Sequence, residues 1–193
     1  MSKTPEIEFK NLLTEKEYQT LLNLYQVKES DFFVQENIYF DTVDKTLENS
    51  HAALRIRLFA DKAEQTLKTP FKTYLMETTD ALQLEEARQL IKKEQIKKEG
   101  AVNETLSKMA ISLSDLRIIG SLKTTRFEKE LSHGLLVLDK SEYFGTVDYE
   151  LEYEAQEELA GSHFFAHFLN QHHIPRRETK NKILRMKEAH LNE

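Results

Sequence analysis

The chain is 193 residues long, enough for one sizeable core, and is read as a single domain over residues 1–193. Its 33 acidic residues outnumber 27 basic ones, and the formal net charge of −6 argues against a general DNA or RNA binder, which shows a basic excess or stripe. Cysteine is absent, which excludes disulfides, cysteine-held zinc and thiol catalysis; with no membrane-length apolar run and no basic-then-apolar leader, the expected setting is the cytoplasm, away from any membrane.

Glu6-Ile7-Glu8-Phe9-Lys10 alternates strictly and predicts a strand with Glu6, Glu8 and Lys10 on one face. Thr14 to Glu17 has the form of a capping box, and Tyr18, Leu21, Leu22 and Tyr25 then recur at helical spacing, predicting a helix over residues 14–26. Phe32 to Asp41 reads as a strand, Thr42 to Ser50 as a turn with one short helical piece, and Ala52 to Phe59 as a strand in which Arg55 and Arg57 point the same way. Glu64 to Lys68 forms a further strand, ended by Pro70, with Thr73 to Thr79 as its hairpin partner and with Thr66 and Lys68 on one face.

Residues 81–116 are rich in Leu, Ala, Glu and Lys. Leu82, Ala87, Leu90 and Ile91 fit a helix capped by Asp80, Gly100 interrupts, Asn103 caps a short helix through Met109, and Ser112 or Ser114 starts a third turn. Lys92, Lys93, Lys97 and Lys98 are interleaved with Glu and read as a solvated helix face. Three antiparallel strands follow at Arg117 to Leu131, Leu135 to Tyr143 and Thr146 to Ala155, then helices at Glu157 to Gln171 and Lys180 to Ala189.

The last of these strands carries Asp148, Glu150, Glu152 and Glu154 on one face. Carboxylates spaced ~7 Å apart along a strand repel one another unless cations sit among them, and oxygen-rich clusters suit magnesium or manganese. Placed near Glu6 and Glu8, this strand makes a metal site the economical explanation. About eight strands with one charged face, and enough helices to cover the apolar one, predict an α+β fold: an eight-stranded antiparallel β-barrel with helices outside and at one end. Arg55, Arg57, Lys68 and Arg126 then face the acidic strands across a charged lumen, the chemistry a polyphosphate calls for. A sheet whose charged faces merely meet water stays open as the bland alternative, and it predicts that Glu6→Gln leaves metal affinity untouched. There is no Gly-rich phosphate loop and no His-Glu-x-x-His zinc motif; His163 and His167, one turn apart among Phe164, Phe165 and Phe168, are read as part of a packing helix.

Several of these residues recur in a known order. Glu6-x-Glu8-x-Lys10, Tyr39-Phe40-Asp41-Thr42, Leu54-Arg55-Ile56-Arg57, Thr66-Leu67-Lys68, Arg126, Leu138-Asp139, Gly145, the Asp148 to Glu154 strand and Lys182-x-x-Arg185 together resemble the CYTH superfamily, the triphosphate tunnel metalloenzymes, and most closely its small bacterial YjbK-like members. The resemblance implies a tunnel-shaped barrel and hydrolysis of a small-molecule triphosphate with Mg2+ or Mn2+. By position it implies that Glu6, Glu8, Asp148, Glu150 and Glu152 hold metal, with Glu154 beside them. It implies that Lys10, Arg55, Arg57, Lys68, Arg126, Lys182 and Arg185 hold phosphate, and that Glu6, Glu8, Lys10, Glu150 and Glu152 carry the catalysis. Two departures stand out: Leu75-Met76-Glu77 lacks an arginine that many members carry two residues before the glutamate, and Thr124 stands where many place a lysine. Inorganic triphosphate is the leading substrate, nucleoside and thiamine triphosphates are further ones, and an adenylate cyclase or a non-catalytic polyphosphate binder are the alternatives. Monomer and homodimer are both open.

Overall fold

The alternation read above is realised as nine strands and six α-helices in a computed structural model that describes residues 2–191. The chain folds as two compact units, one made of residues up to Pro5 and Gln35–Leu122, the other of Glu6–Val34 and residues from Lys123 onward.

In the first unit the strand order is β1 (Ser2–Glu6), β6 (Tyr74–Leu82), β5 (Ala63–Phe71), β4 (Ala53–Leu58) and β3 (Phe33–Thr42). Period-two alternation sends Leu54, Ile56, Leu67, Ile38 and Phe40 to one face, where they pack on Leu47 of α2 (Thr46–Asn49), Ala87 of α3 (Leu84–Lys92) and Val102 and Leu106 of α4 (Ala101–Lys108). Each such fully buried Leu or Phe contributes about 1.5–3 kcal/mol. The opposite face is left to Arg55 and Arg57, whose cross-strand partners are Thr66 and Glu64.

The second unit orders β7 (Leu116–Leu131) from Lys123 onward, β8 (Gly134–Tyr143), β9 (Thr146–Ala155) and β2 (Glu8–Leu13). Its apolar face, with Phe127, Leu136, Leu138, Leu151 and Tyr153, is covered by Tyr18 and Leu21 of α1 (Glu15–Leu24) and by Phe165, Phe168 and Leu169 of α5 (Glu158–Gln171). The residues from Pro175 to Thr179 form a strap along β2: Arg177 N–H donates to Asn11 Oδ1 at 2.7 Å, Asn11 Nδ2 donates to the Pro175 carbonyl at 3.1 Å, and Leu12 N–H donates to Thr179 Oγ1 at 2.9 Å. The strap delivers α6 (Lys182–His190), whose first turn is capped by Asn181 accepting from Leu184 N–H.

Several expectations are corrected here. The N-terminal stretch is two strands rather than one: Ile7 separates β1 from β2, and its carbonyl accepts from Ala155 N–H at 2.8 Å. That break raises the strand count from eight to nine among the described residues, within the expected antiparallel α+β class. Pro70 does not end its strand. The ladder between β5 and β4 stops at Lys68, so Pro70 lies where β5 has an open side and its missing N–H costs little. Asp80 does not cap α3, which is boxed by Gln83 and Glu86; it reaches instead to the amides of Ala101 and Val102 and caps α4 at 3.0 and 2.9 Å. Asn103, expected as that cap, lies inside α4.

Candidate functional site

Register decides which charged groups meet. In the second unit β9 pairs with β2 through Glu152 opposite Lys10 and Glu154 opposite Glu8, and with β8 through Glu150 opposite Asp139; β8 in turn sets Asp139 opposite Arg126 of β7. Asp148, Glu150, Glu152, Glu154, Lys10, Glu8, Asp139 and Arg126 therefore share the face away from α1 and α5, and Lys182 and Arg185 of α6 join them there. Asp139 and Glu150 are fully buried, and Glu152 and Arg126 nearly so. A charge cannot remain there without a partner.

The partners are specific. Arg126 forks onto Asp139, Nε to Oδ1 at 2.8 Å and Nη2 to Oδ2 at 2.6 Å, and its Nη2 also donates to Glu152 Oε2 at 2.8 Å. Lys182 Nζ lies 2.9 Å from Asp139 Oδ2 and 3.0 Å from Glu150 Oε2 and donates to Glu152 Oε1. Arg185 Nε donates to Asp148 Oδ2 at 2.8 Å, and its Nη2 donates to Glu150. Tyr143 donates its hydroxyl to Asp148, and Lys10 Nζ lies 2.6 Å from Glu8.

The titration behaviour follows. Burial opposes charge on Lys182, yet Asp139, Glu150 and Glu152 outweigh it and hold the ammonium charged well above its usual range; Arg126 is held the same way by Asp139 and Glu152. Burial likewise works against Glu152, but Lys182, Arg126 and Lys10 bring its carboxyl well below the usual range, whereas for Glu150 burial wins and the value rises. Glu154 is pushed up to about 7, by burial first; Arg126 pulls it the other way, and the carboxylates Glu152, Glu6 and Glu8 add to the rise. Asp139, Asp148, Glu150 and Glu152 are thus threaded with the cations Arg126, Lys182 and Arg185, and Glu8 is paired with Lys10.

Among the described residues, no three acidic or histidine side chains are drawn together closely enough to hold a metal ion as they stand. The donor set nevertheless fits a hard cation. It is all oxygen, and Glu150 Oε1 is buried with no hydrogen-bond partner.

The first unit carries the remaining expected cations. Arg57 Nε donates to Asn37 Oδ1 at 2.9 Å and its Nη1 lies 3.4 Å from Glu64; Arg55 and Lys68 both approach Glu77 Oε2, at 3.9 and 3.4 Å. Burial opposes ionisation of Glu77, but Lys68, Arg55 and Arg57 outweigh it and lower its carboxyl. Glu77 is thus retained on the cationic face even though Leu75 stands in place of an arginine. These partly exposed side chains present a guanidinium and ammonium surface suited to phosphate oxygens.

Sequence reasoning missed three participants. Asp139 belongs with the acids: its place at the end of the apolar run from Leu135 hid a carboxylate in phase with Arg126 across the register. Tyr143 closes the expected hairpin to Thr146, and its contact with Asp148 across that turn is what the sequence reading did not include. Asn11 occupies an apolar phase between Phe9 and Leu13, a polar residue in a core position, and that was a legible signal. Thr124 is buried on the Arg126 face and pairs with Ser141 at 3.4 Å, while Lys123 points the other way, as strand parity requires. His163 and His167 are exposed on α5.

Against known proteins, residues 4–186 match the CYTH domain. The chain belongs to the CYTH family. It is 45% identical over 188 residues, 97% of each chain, to a Bacillus subtilis protein named "Putative triphosphatase YjbK". A solved structure from Bacillus halodurans, described as a "putative adenylate cyclase", is 36% identical, with a TM-score of 0.92 over 96% of this chain and 98% of that one. A Hippeastrum protein described as a putative adenylyl cyclase with a dominant triphosphatase activity shares the fold at 20% identity, with a TM-score of 0.79 and 95% of each chain covered. Among the described residues no helix is long and apolar enough to cross a membrane.

Proposed function

We propose that this CYTH protein, working as a single domain, hydrolyses a small-molecule triphosphate, most simply inorganic triphosphate, with Mg2+ or Mn2+. The observation that carries the reading is the fully buried Glu150, whose Oε1 has no hydrogen bond although cations crowd its other oxygen: an oxygen donor placed for a hard cation. Glu6, Glu8, Asp148, Glu150 and Glu152 are the proposed metal ligands, with Glu154 beside them. A divalent cation held there neutralises phosphate charge and lowers the pKa of an attacking water.

The chain's own residues do the rest. Arg55 and Arg57 present planar forks to phosphate oxygens, and Lys68 and Lys10 add point charge. Arg126 fixes Asp139 and Glu152 so that these acids keep their positions when ligand arrives, which is preorganisation rather than chemistry. Lys182 and Arg185 are the cations able to trade carboxylate for phosphate oxygen. The reading is of a cytoplasmic enzyme that acts on neither DNA nor membranes.

A second reading, cyclisation of ATP, is favoured by the name of the Bacillus halodurans relative. One assay separates them. Phosphate release from inorganic triphosphate and from ATP is followed with Mg2+, Mn2+ or EDTA, for the natural chain and for a Glu6→Gln, Glu150→Gln double variant, with products identified. Orthophosphate release that needs the metal and disappears in the variant is expected. Cyclic AMP and pyrophosphate from ATP would move the protein to the cyclases, and binding without any product would make it a polyphosphate-binding module.

A further inference from the structure

The position of one ammonium group links the metal site to the C-terminal helix. Lys182 Nζ is surrounded on three sides by carboxylate oxygens, 2.9 Å from Asp139, 3.0 Å from Glu150 and hydrogen-bonded to Glu152. This is the oxygen environment of a hard cation, expanded by about 1 Å relative to Mg–O distances of about 2.0–2.1 Å. Glu150 Oε1, on the same buried carboxylate, has no hydrogen bond. Four formal carboxylate charges, from Asp139, Asp148, Glu150 and Glu152, meet three cations, Arg126, Lys182 and Arg185. A dication in place of the ammonium cancels the charge that remains.

We propose that Lys182 is the resident counter-ion of this site and exchanges with the divalent metal: the ion enters on Glu150 and Glu152, two of the proposed ligands, while the ammonium swings off them, to be used by a phosphate oxygen. The inference rests on the metal-dependent reading above and adds to it a competition built into the chain. An ammonium and a dication about 3 Å apart repel strongly in a buried site, so the two compete for these carboxylates. The movement is confined to a side chain. The backbone of α6 is held by the Asn181 cap and by fully buried Met186, and the strap before it is pinned to β2 through Asn11 and Thr179. Arg185 remains forked on Asp148, so the helix keeps an anchor on β9 while Lys182 leaves.

The test uses Mn2+ alone, titrated into the full chain and followed by the electron paramagnetic resonance of the unbound ion. Lys182→Met is expected to bind Mn2+ about 10- to 100-fold more tightly than the natural chain, since the ion no longer displaces a charge. Lys182→Arg, which keeps the charge, should stay within a few-fold of the natural chain, and Glu150→Gln should bind more weakly. Alongside, an amine-acetylating reagent with peptide mass spectrometry reads the accessibility of Lys182 in the natural chain, which should rise when Mn2+ is added; this readout stands even if the Lys182→Met variant fails to fold. Equal Mn2+ affinities for the natural chain and Lys182→Met, together with a Lys182 as protected from acetylation with metal as without, would overturn the exchange and leave the metal site intact. Absence of Mn2+ binding in every variant would overturn the exchange and the metal-dependent reading together.

Discussion

Replacing Arg126 by Met tests whether the acidic face is held together by charge pairing. The guanidinium forks onto Asp139 at 2.6 and 2.8 Å and reaches Glu152 at 2.8 Å, and both acids are almost entirely shielded from water. Removing one partner of a buried pair costs about 3–5 kcal/mol, because the remaining charge stays buried without compensation. Here the low end applies, about 3 kcal/mol, since Lys182 still touches both carboxylates. In a chain of this size that lowers the thermal midpoint by about 6–12 °C. The informative comparison is the double variant Arg126→Met, Asp139→Leu, in which an apolar pair replaces the ionic one across β7 and β8. It should be more stable than Arg126→Met alone by about 1–2 kcal/mol, because no buried aspartate is left with Lys182 as its one remaining named partner. Urea unfolding of the natural chain, both single variants and the double supplies the cycle. A single Arg126→Met costing under about 1 kcal/mol, or a double variant less stable than that single, would refute the reasoning.

Three further outcomes are expected. Asn11→Leu strips the Pro175–Thr179 strap of its buried anchor and should cost about 1–3 kcal/mol, with faster proteolysis between residues 175 and 181; unchanged cleavage would show the strap is held elsewhere. Gly100→Ala should destabilise by about 1–3 kcal/mol, because Gly100 sits at φ +120° and an added Cβ would run into the Asp80 carboxylate, the group that caps α4; helix content and urea midpoint check this. Burial opposes ionisation of Glu17, but hydrogen bonds from Arg177 and Thr14 win and lower its carboxyl. Its contribution is therefore complete above the unfolded value of about 4.3 and disappears as pH falls through the depressed folded value. The stability difference between the natural chain and Glu17→Gln should be constant near neutrality and shrink in acid; a difference that grows in acid would reverse the assignment.

Much of this was legible in the order of residues. Strand parity follows from a fixed period of two, so the shared face of Asp148, Glu150 and Glu152, the pairing of Arg55 with Arg57, and the outward turn of Lys123 beside Thr124 needed no structure. The Thr14–Glu17 box and the α5 core positions are equally local, since their hydrogen bonds and contacts span one turn. Asp80 was not legible in the same way. Its side chain looks like a cap for the helix that follows it, but it caps a helix about twenty residues further on, which only the packing of α4 on β6 brings into reach.

The sequence by itself determined the antiparallel α+β class, the two charged strand faces and the candidate ligands, because side-chain direction in a strand is set by backbone geometry within a few residues. Only the tertiary structure decided which charges meet. It placed Asp139 among the acids through the β7–β8 and β8–β9 registers. It gave Glu77 to Lys68 and Arg55, and it brought Lys182 and Arg185 onto carboxylates rather than leaving them open for phosphate. Register and the docking of a terminal helix depend on contacts between residues far apart in the chain, and in a buried site those contacts fix each group's charge.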